Sequence, residues 1–157
     1  MPELAVRILV VDDFEPWRRF VSSTLRQHPE FEILYEASDG LDAVEKAEEL
    51  RPDLILMDVG LPMLNGIEAA RRILDRTPQS NILFLSENRS SDIATAALST
   101  GASGYVLKAD AGSELLCAVE AVLQGKRFVS ARLVARDASE PGNGKCPPSL
   151  ERSSWKY

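Results

Sequence analysis

Five polar residues stand where short apolar runs give way to polar chain. Asp12 and Asp13 follow Arg7-Ile8-Leu9-Val10-Val11, and Asp58 follows Leu54-Ile55-Leu56-Met57. Ser86 closes Asn81-Ile82-Leu83-Phe84-Leu85, and Lys108 closes Tyr105-Val106-Leu107. Three carboxylates brought together repel one another, and a hard divalent cation relieves that repulsion. Magnesium takes oxygen ligands octahedrally, with one or two carboxylates completed by waters and phosphate oxygens. A lysine nearby supplies positive charge for an anion, and a serine supplies a hydroxyl donor. Such a set suits a phosphoryl group that arrives with Mg2+. An Asp carboxylate can be the nucleophile and form an aspartyl phosphate. Positioning and charge neutralisation then do most of the work, because phosphoryl transfer needs little else from a protein.

The elements around these residues explain how they could meet. Short unbroken apolar runs read as strands covered on both faces, as in a parallel sheet. Phe31 to Ala37 adds one more strand. Between the strands, apolar residues recur at helical spacing: Trp17, Phe20, Val21, Thr24 and Leu25; then Leu41, Val44, Ala47 and Leu50; then Ile67, Ala70, Ile73 and Leu74 in a helix over 65–76. Pro16 suits a first turn, His28-Pro29 and Pro52 end two of these segments, and Thr77-Pro78 closes the third. Ser90 or Ser91 can cap a weak helix through about Ser99, and Leu115, Leu116, Val119, Val122 and Leu123 give a strongly periodic helix that stops at Gly125. Five strand-then-helix units with short connections predict an α/β fold, a flavodoxin-like doubly wound sheet of five parallel strands with five helices. Asp12, Asp13, Asp58, Ser86 and Lys108 then share the carboxyl edge of the sheet, where open α/β sheets bind ligands. Val10, Leu56, Leu83 and Val106 are expected in the core.

We expect one domain over 5–130 and a short extension over 131–157. From about Arg136, Glu140-Pro141-Gly142-Asn143-Gly144 and Pro147-Pro148 are breaker-rich and show no period, so the extension should be irregular. The net charge of −6 argues against nucleic-acid binding through a basic surface. Two cysteines, Cys117 and Cys146, make no disulfide framework, and together with the absence of a signal-like start or a membrane-length apolar run they point to the cytoplasm. Cys117, beside the apolar face of the last helix, should pack there. His28 is the only histidine, so no zinc cluster can be built around it.

The order Asp12-Asp13, Asp58, Ser86, Lys108, with Gly60-Leu61-Pro62 after the central Asp, resembles the receiver domain of two-component response regulators over about Val6 to Ser130. The stretch Gly101-Ala102-Ser103-Gly104-Tyr105-Val106-Leu107-Lys108-Ala109, followed by Gln124-Gly125-Lys126-Arg127-Phe128-Val129-Ser130, is most similar to the NarL/FixJ branch. The resemblance implies that Asp58 accepts a phosphoryl group from a histidine kinase, a phosphotransfer protein or a small phosphodonor. It implies Asp13 as a direct Mg2+ ligand, Asp12 as a ligand through water, and the Gly60 backbone carbonyl as the remaining protein ligand. Lys108 would pair with the phosphoryl oxygens. Ser86 would turn toward them, and Tyr105 would follow inward. The surface of the fourth helix, fifth strand and fifth helix would change, governing a partner or a homodimer.

Two positions depart from the family's commonest pattern. Glu87 stands after the switch hydroxyl, where a small residue is usual, and brings negative charge to a site already rich in it. Gly60 leaves the second position past Asp58 without a side chain, where attacking water meets less obstruction. The rivals have weaker chemistry. A haloacid-dehalogenase-type phosphatase resembles Asp-x-Asp, but Gly60 stands at the second position. A flavin binder would need a phosphate-cradling first loop, and Asp12-Asp13 would repel phosphate. A receiver that is never phosphorylated and only docks, or an N-terminal fragment of a DNA-binding regulator, remains as an alternative. The 22 residues from Arg136 to Tyr157 are too few for the helix-turn-helix module usual in that branch, so we expect a stand-alone receiver that acts through protein contacts.

Overall fold

The computed structural model describes residues 5–131 and 133. The expected irregular extension, with Cys146 in it, lies outside the described residues. The chain divides into two compact units between Ile82 and Leu83.

In the first unit the order is β1 (Val6–Val11), α1 (Glu15–Arg26), β2 (Phe31–Ala37), α2 (Gly40–Leu50), β3 (Leu54–Met57) and α3 (Gly66–Arg76). The strand β1 pairs in parallel with β2 on one side and β3 on the other. Its residues Ile8, Leu9 and Val10 are buried, as are Leu54, Ile55 and Leu56 of β3. Burial of each such side chain stabilises the fold by roughly 1.5–3 kcal/mol.

Helix starts are set by polar caps. The side chain of Asp39 accepts from the Asp42 N–H at 2.7 Å, and that of Asn65 accepts from the Glu68 N–H at 2.9 Å. The helix α1 is different. Its cap is Phe14, which has no capping side chain. Asp12 Oδ1 instead accepts from the Phe14 N–H at 2.8 Å, ahead of the helix. The buried residues of α1 also differ from the expected face. Val21, Ser22 and Leu25 are buried, whereas Phe20 is 41% exposed and meets Trp17 with ring centroids 5.1 Å apart. Ser22 turns inward because its hydroxyl donates to Glu36 Oε2 at 2.8 Å.

In the second unit β4 (Asn81–Ser86, begun just before the boundary) is followed by α4 (Ser91–Leu98), β5 (Gly104–Leu107), a single 3-10 turn (Lys108–Asp110), α5 (Ala111–Leu123) and β6 (Phe128–Val129). Ser90 caps α4, accepting from the Ile93 N–H at 3.3 Å. The strand β5 pairs in parallel with β4 and with β6. Five strands were expected, and β6 makes a sixth. It is two residues long, too short for any periodic pattern, and it forms because Gly125, at φ 83°, turns the chain back. Gly104 lets it approach: a Cβ there would stand 2.6 Å from the Phe128 carbonyl oxygen and 2.8 Å from Leu83 Cδ1. Leu83, Val106 and Phe128 are buried, and so is Cys117 of α5. Among the described residues no helix is long and apolar enough to cross a membrane.

Candidate functional site

The first unit brings three of the expected residues together. Val11 is in register with Met57 across the β1–β3 ladder, and the Asp58 N–H donates to the Val11 carbonyl at 3.1 Å. Asp12 and Asp58 are thus the first residues past two adjoining parallel strands, which run about 4.8 Å apart. One carboxylate oxygen from each of Asp12, Asp13 and Asp58 lies within 4.8 Å of the others. Asp12 is 2% exposed, Asp13 is exposed and Asp58 is half-buried. Hard oxygen donors in this number, spanning a gradient from core to solvent, suit Mg2+, which keeps several of its waters. A cation also offsets the repulsion among the three charges, which burial of Asp12 strengthens.

The surroundings hold these side chains in place. Asp12 is fixed by its backbone N–H to the Ala37 carbonyl (3.0 Å) and by Phe14. Arg18 Nη1 donates to the Asp12 carbonyl at 2.7 Å, while its Nε lies 3.4 Å from Glu36 Oε1. The loop after Asp58 is folded on itself: the N–H groups of Leu61 and Gly66 both donate to the Val59 carbonyl, at 3.0 and 2.7 Å. The Gly40 N–H at the start of α2 donates to the Pro62 carbonyl of the same loop at 3.2 Å. Two glycines permit this closeness. A Cβ at Gly66 would overlap the Asp58 carbonyl oxygen and stand 2.9 Å from Asp58 C and Val59 Cα, and one at Gly40 would overlap the Leu64 carbonyl oxygen. Gly60, by contrast, has nothing within 4 Å of where its Cβ would be. Met63 takes a left-handed φ of 69° and leaves its side chain 74% exposed.

The second unit carries Ser86, Tyr105 and Lys108. Ser86, at the end of β4, is 3% exposed, and its Oγ accepts from the Asn88 N–H at 3.0 Å. Tyr105 of β5 is fully buried, and its hydroxyl donates to the Asn88 carbonyl at 2.9 Å. One residue of the β4–α4 loop therefore joins the two expected switch residues. The Tyr105 ring lies 6.2 Å from that of Phe84. Lys108 directly follows β5 and is half-buried, and Glu87 is exposed. Asn88 escapes sequence reasoning because its backbone, not its side chain, makes both contacts. Arg18 and Glu36 escape it because their pairing spans α1 and β2.

The profile of the response regulator receiver domain matches residues 8–120. The transcriptional regulatory protein DegU of Brevibacillus brevis is 39% identical over 127 residues, which are 81% of this chain and 54% of that protein. The response regulator GacA of Pseudomonas viridiflava is 31% identical over 82% of this chain and 60% of its own length. This chain thus spans about three-fifths or less of these regulators. Among solved structures, a LuxR-family two-component response regulator from Aurantimonas superposes with a TM-score of 0.81 at 34% identity, covering 87% of this chain and 99% of that one. The response regulator domain of Thermotoga maritima CheB gives 0.71 at 31% identity, over 76% of this chain and 97% of that one. The α/β fold is therefore flavodoxin-like and CheY-like, with six strands where five were expected. With the family profile running from β1 into α5, and with relatives at 31–39% identity along most of its length, the chain belongs to the response regulator receiver domain family.

Proposed function

We propose that Asp58 is a phosphoacceptor and that this chain switches a partner or its own dimerisation when Asp58 is modified. The observation that carries the reading is the convergence of Asp12, Asp13 and Asp58 within 4.8 Å at paired strand ends. Asp13 would ligate Mg2+ directly, Asp12 through water, and Asp58 and the Gly60 carbonyl would complete the protein's donors. Bound there, the cation neutralises charge on the incoming phosphoryl oxygens. A carboxylate oxygen of Asp58 attacks phosphorus, the bond from phosphorus to the donor breaks, and its electron pair leaves with the donor. Lys108 pairs with the phosphoryl oxygens, a point charge suited to a group whose negative charge is spread over three oxygens.

Ser86 then exchanges its contact with Asn88 for the phosphoryl group, and the loop that also holds Tyr105 follows. That carries the change to the α4–β5–α5 surface. The donor is a sensor histidine kinase, a phosphotransfer protein or a small phosphodonor in the cytoplasm. Residues 5–130 form the receiver, and 131–157 a short extension. Glu87 modulates the rate by adding negative charge beside the site.

The test is labelling with acetyl phosphate, with and without Mg2+, on wild type and Asp58→Asn, read by Phos-tag gel and by size-exclusion chromatography. Label that needs both Mg2+ and Asp58 supports the reading. A wild type that stays unlabelled with acetyl phosphate and with kinase donors points instead to a docking module that is never phosphorylated.

A further inference from the structure

A buried polar relay adjoins the backbone from which Lys108 projects, apart from the set Asp12, Asp13, Asp58, Ser86 and Lys108. The N–H of Leu107, the last residue of β5, donates to Ser130 Oγ at 2.8 Å. The Ser130 hydroxyl in turn donates to Glu114 Oε1 at 2.7 Å, and the Ala131 N–H donates to Glu114 Oε2 at 3.3 Å. Ser130 and Leu107 are 0% and 1% exposed, and Glu114 is 9% exposed. The reason for the relay lies in the shortness of β6. The Ser130 N–H still donates to the Tyr105 carbonyl at 2.9 Å, but the strand ends at Val129 and the Ser130 carbonyl accepts instead from the Leu133 N–H at 3.0 Å. A buried N–H without a partner is costly, and the serine hydroxyl, both donor and acceptor, substitutes for the missing rung. Glu114 lies in the first turn of α5, where a carboxylate is favoured by the helix dipole.

We propose that Ser130 and Glu114 are positioning residues for Lys108. This rests on the phosphoacceptor reading above. Lys108 stands between two anchored points: Leu107 before it is pinned by Ser130, and the 3-10 turn after it leads into the α5 turn that holds Glu114. Both anchors meet at one hydroxyl on the chain leaving β6. The ammonium is thereby set by the segment that exits the receiver, and a displacement of that segment reaches the phosphorylation chemistry through a single buried hydrogen-bond chain.

The experiment compares wild type, Ser130→Ala, Glu114→Ala, Glu114→Gln and Thr77→Ala. Thr77 serves as the structural control, since its buried hydroxyl donates to the Ile73 carbonyl at 3.0 Å in the first unit. Each protein is labelled with acetyl phosphate at saturating Mg2+, titrated with Mg2+ by calorimetry, melted, and followed by amide exchange at Leu107. Ser130→Ala and Glu114→Ala are expected to lower the labelling rate by about tenfold or more, the cost of misplacing a charged group by a fraction of an ångström. Mg2+ affinity should stay at the wild-type value, and Leu107 exchange should accelerate. Glu114→Gln keeps an acceptor for Ser130 and should label within about threefold of wild type. Thr77→Ala should lose stability and label normally. If Ser130→Ala does not fold, Glu114→Ala against Glu114→Gln decides. Wild-type labelling rates in the alanine variants, with wild type labelled and Asp58→Asn blank, overturn the positioning role alone. A wild type that takes no label overturns the phosphoacceptor reading, and the positioning role with it.

Discussion

Gly66→Ala tests whether the placement of Asp58 depends on the tight loop behind it. The added Cβ would overlap the Asp58 carbonyl oxygen and stand 2.9 Å from Asp58 C and Val59 Cα. Carbon–carbon contacts settle at about 3.5–4.0 Å, so the two carbons must retreat by roughly 0.6–1.1 Å and the overlapped oxygen further. The atoms that must move are backbone, not the far end of a flexible side chain, and the retreat strains the Gly66 N–H bond to the Val59 carbonyl. Overpacking of this kind costs about 1–3 kcal/mol of stability. A misplacement of about 1 Å at a reacting group can cost about 100-fold in rate. We therefore expect Gly66→Ala to remain folded, with its melting point lowered, and to label with acetyl phosphate at least about tenfold more slowly than wild type. Gly60→Ala is the internal control, because nothing lies within 4 Å of its Cβ position. It should fold normally and bind Mg2+ as wild type does. The assay is the initial labelling rate on Phos-tag gels, with melting curves on the same samples. Equal rates for Gly66→Ala and wild type would refute the claim that the loop's close packing positions Asp58.

Asp13→Asn should weaken Mg2+ binding by at least about tenfold in a calorimetric titration while leaving the melting point of the metal-free protein unchanged or raised, because one of three crowded charges is gone. Glu87→Ala should speed labelling by about two- to fivefold, the scale expected of one exposed charge, and equal rates would remove Glu87 from the mechanism. Hydrogen bonds from Arg71 and Arg72 hold the Glu68 carboxyl below its ordinary 4.5. A carboxyl lowered in the folded state adds stability above its unfolded value, and that stability is lost as pH falls through the folded value. Melting curves of Glu68→Gln should accordingly fall less steeply with acidification than those of wild type.

Much of the site is legible in the sequence, for a physical reason. Parallel strands put their carboxyl ends on one edge, so Asp12 and Asp58, each straight after an apolar run, must leave neighbouring strands at one level, and the Val11–Met57 register has them do so. The helix starts at Asn65 and Ser90 were readable because capping is local chemistry. What was not readable involves contacts distant in sequence. The α1 face was misjudged because Ser22 finds Glu36, 14 residues away, and turns inward where an aromatic residue was expected. The strand β6 is too short to carry a pattern, and Glu114 and Ser130 meet across 16 residues with nothing local to announce it. Asn88 joins Ser86 and Tyr105 through backbone atoms that every residue possesses.

The most direct test of the account is to trap the modified residue chemically. Wild type treated with acetyl phosphate and Mg2+ is reduced with borohydride, which converts an aspartyl phosphate to homoserine, and is then mapped by peptide mass spectrometry. The account predicts homoserine at position 58 and nowhere else, and none when Mg2+ is chelated. Homoserine at Asp12 or Asp13 with Asp58 intact, or none at any aspartate while the protein stays folded and binds Mg2+, would contradict it.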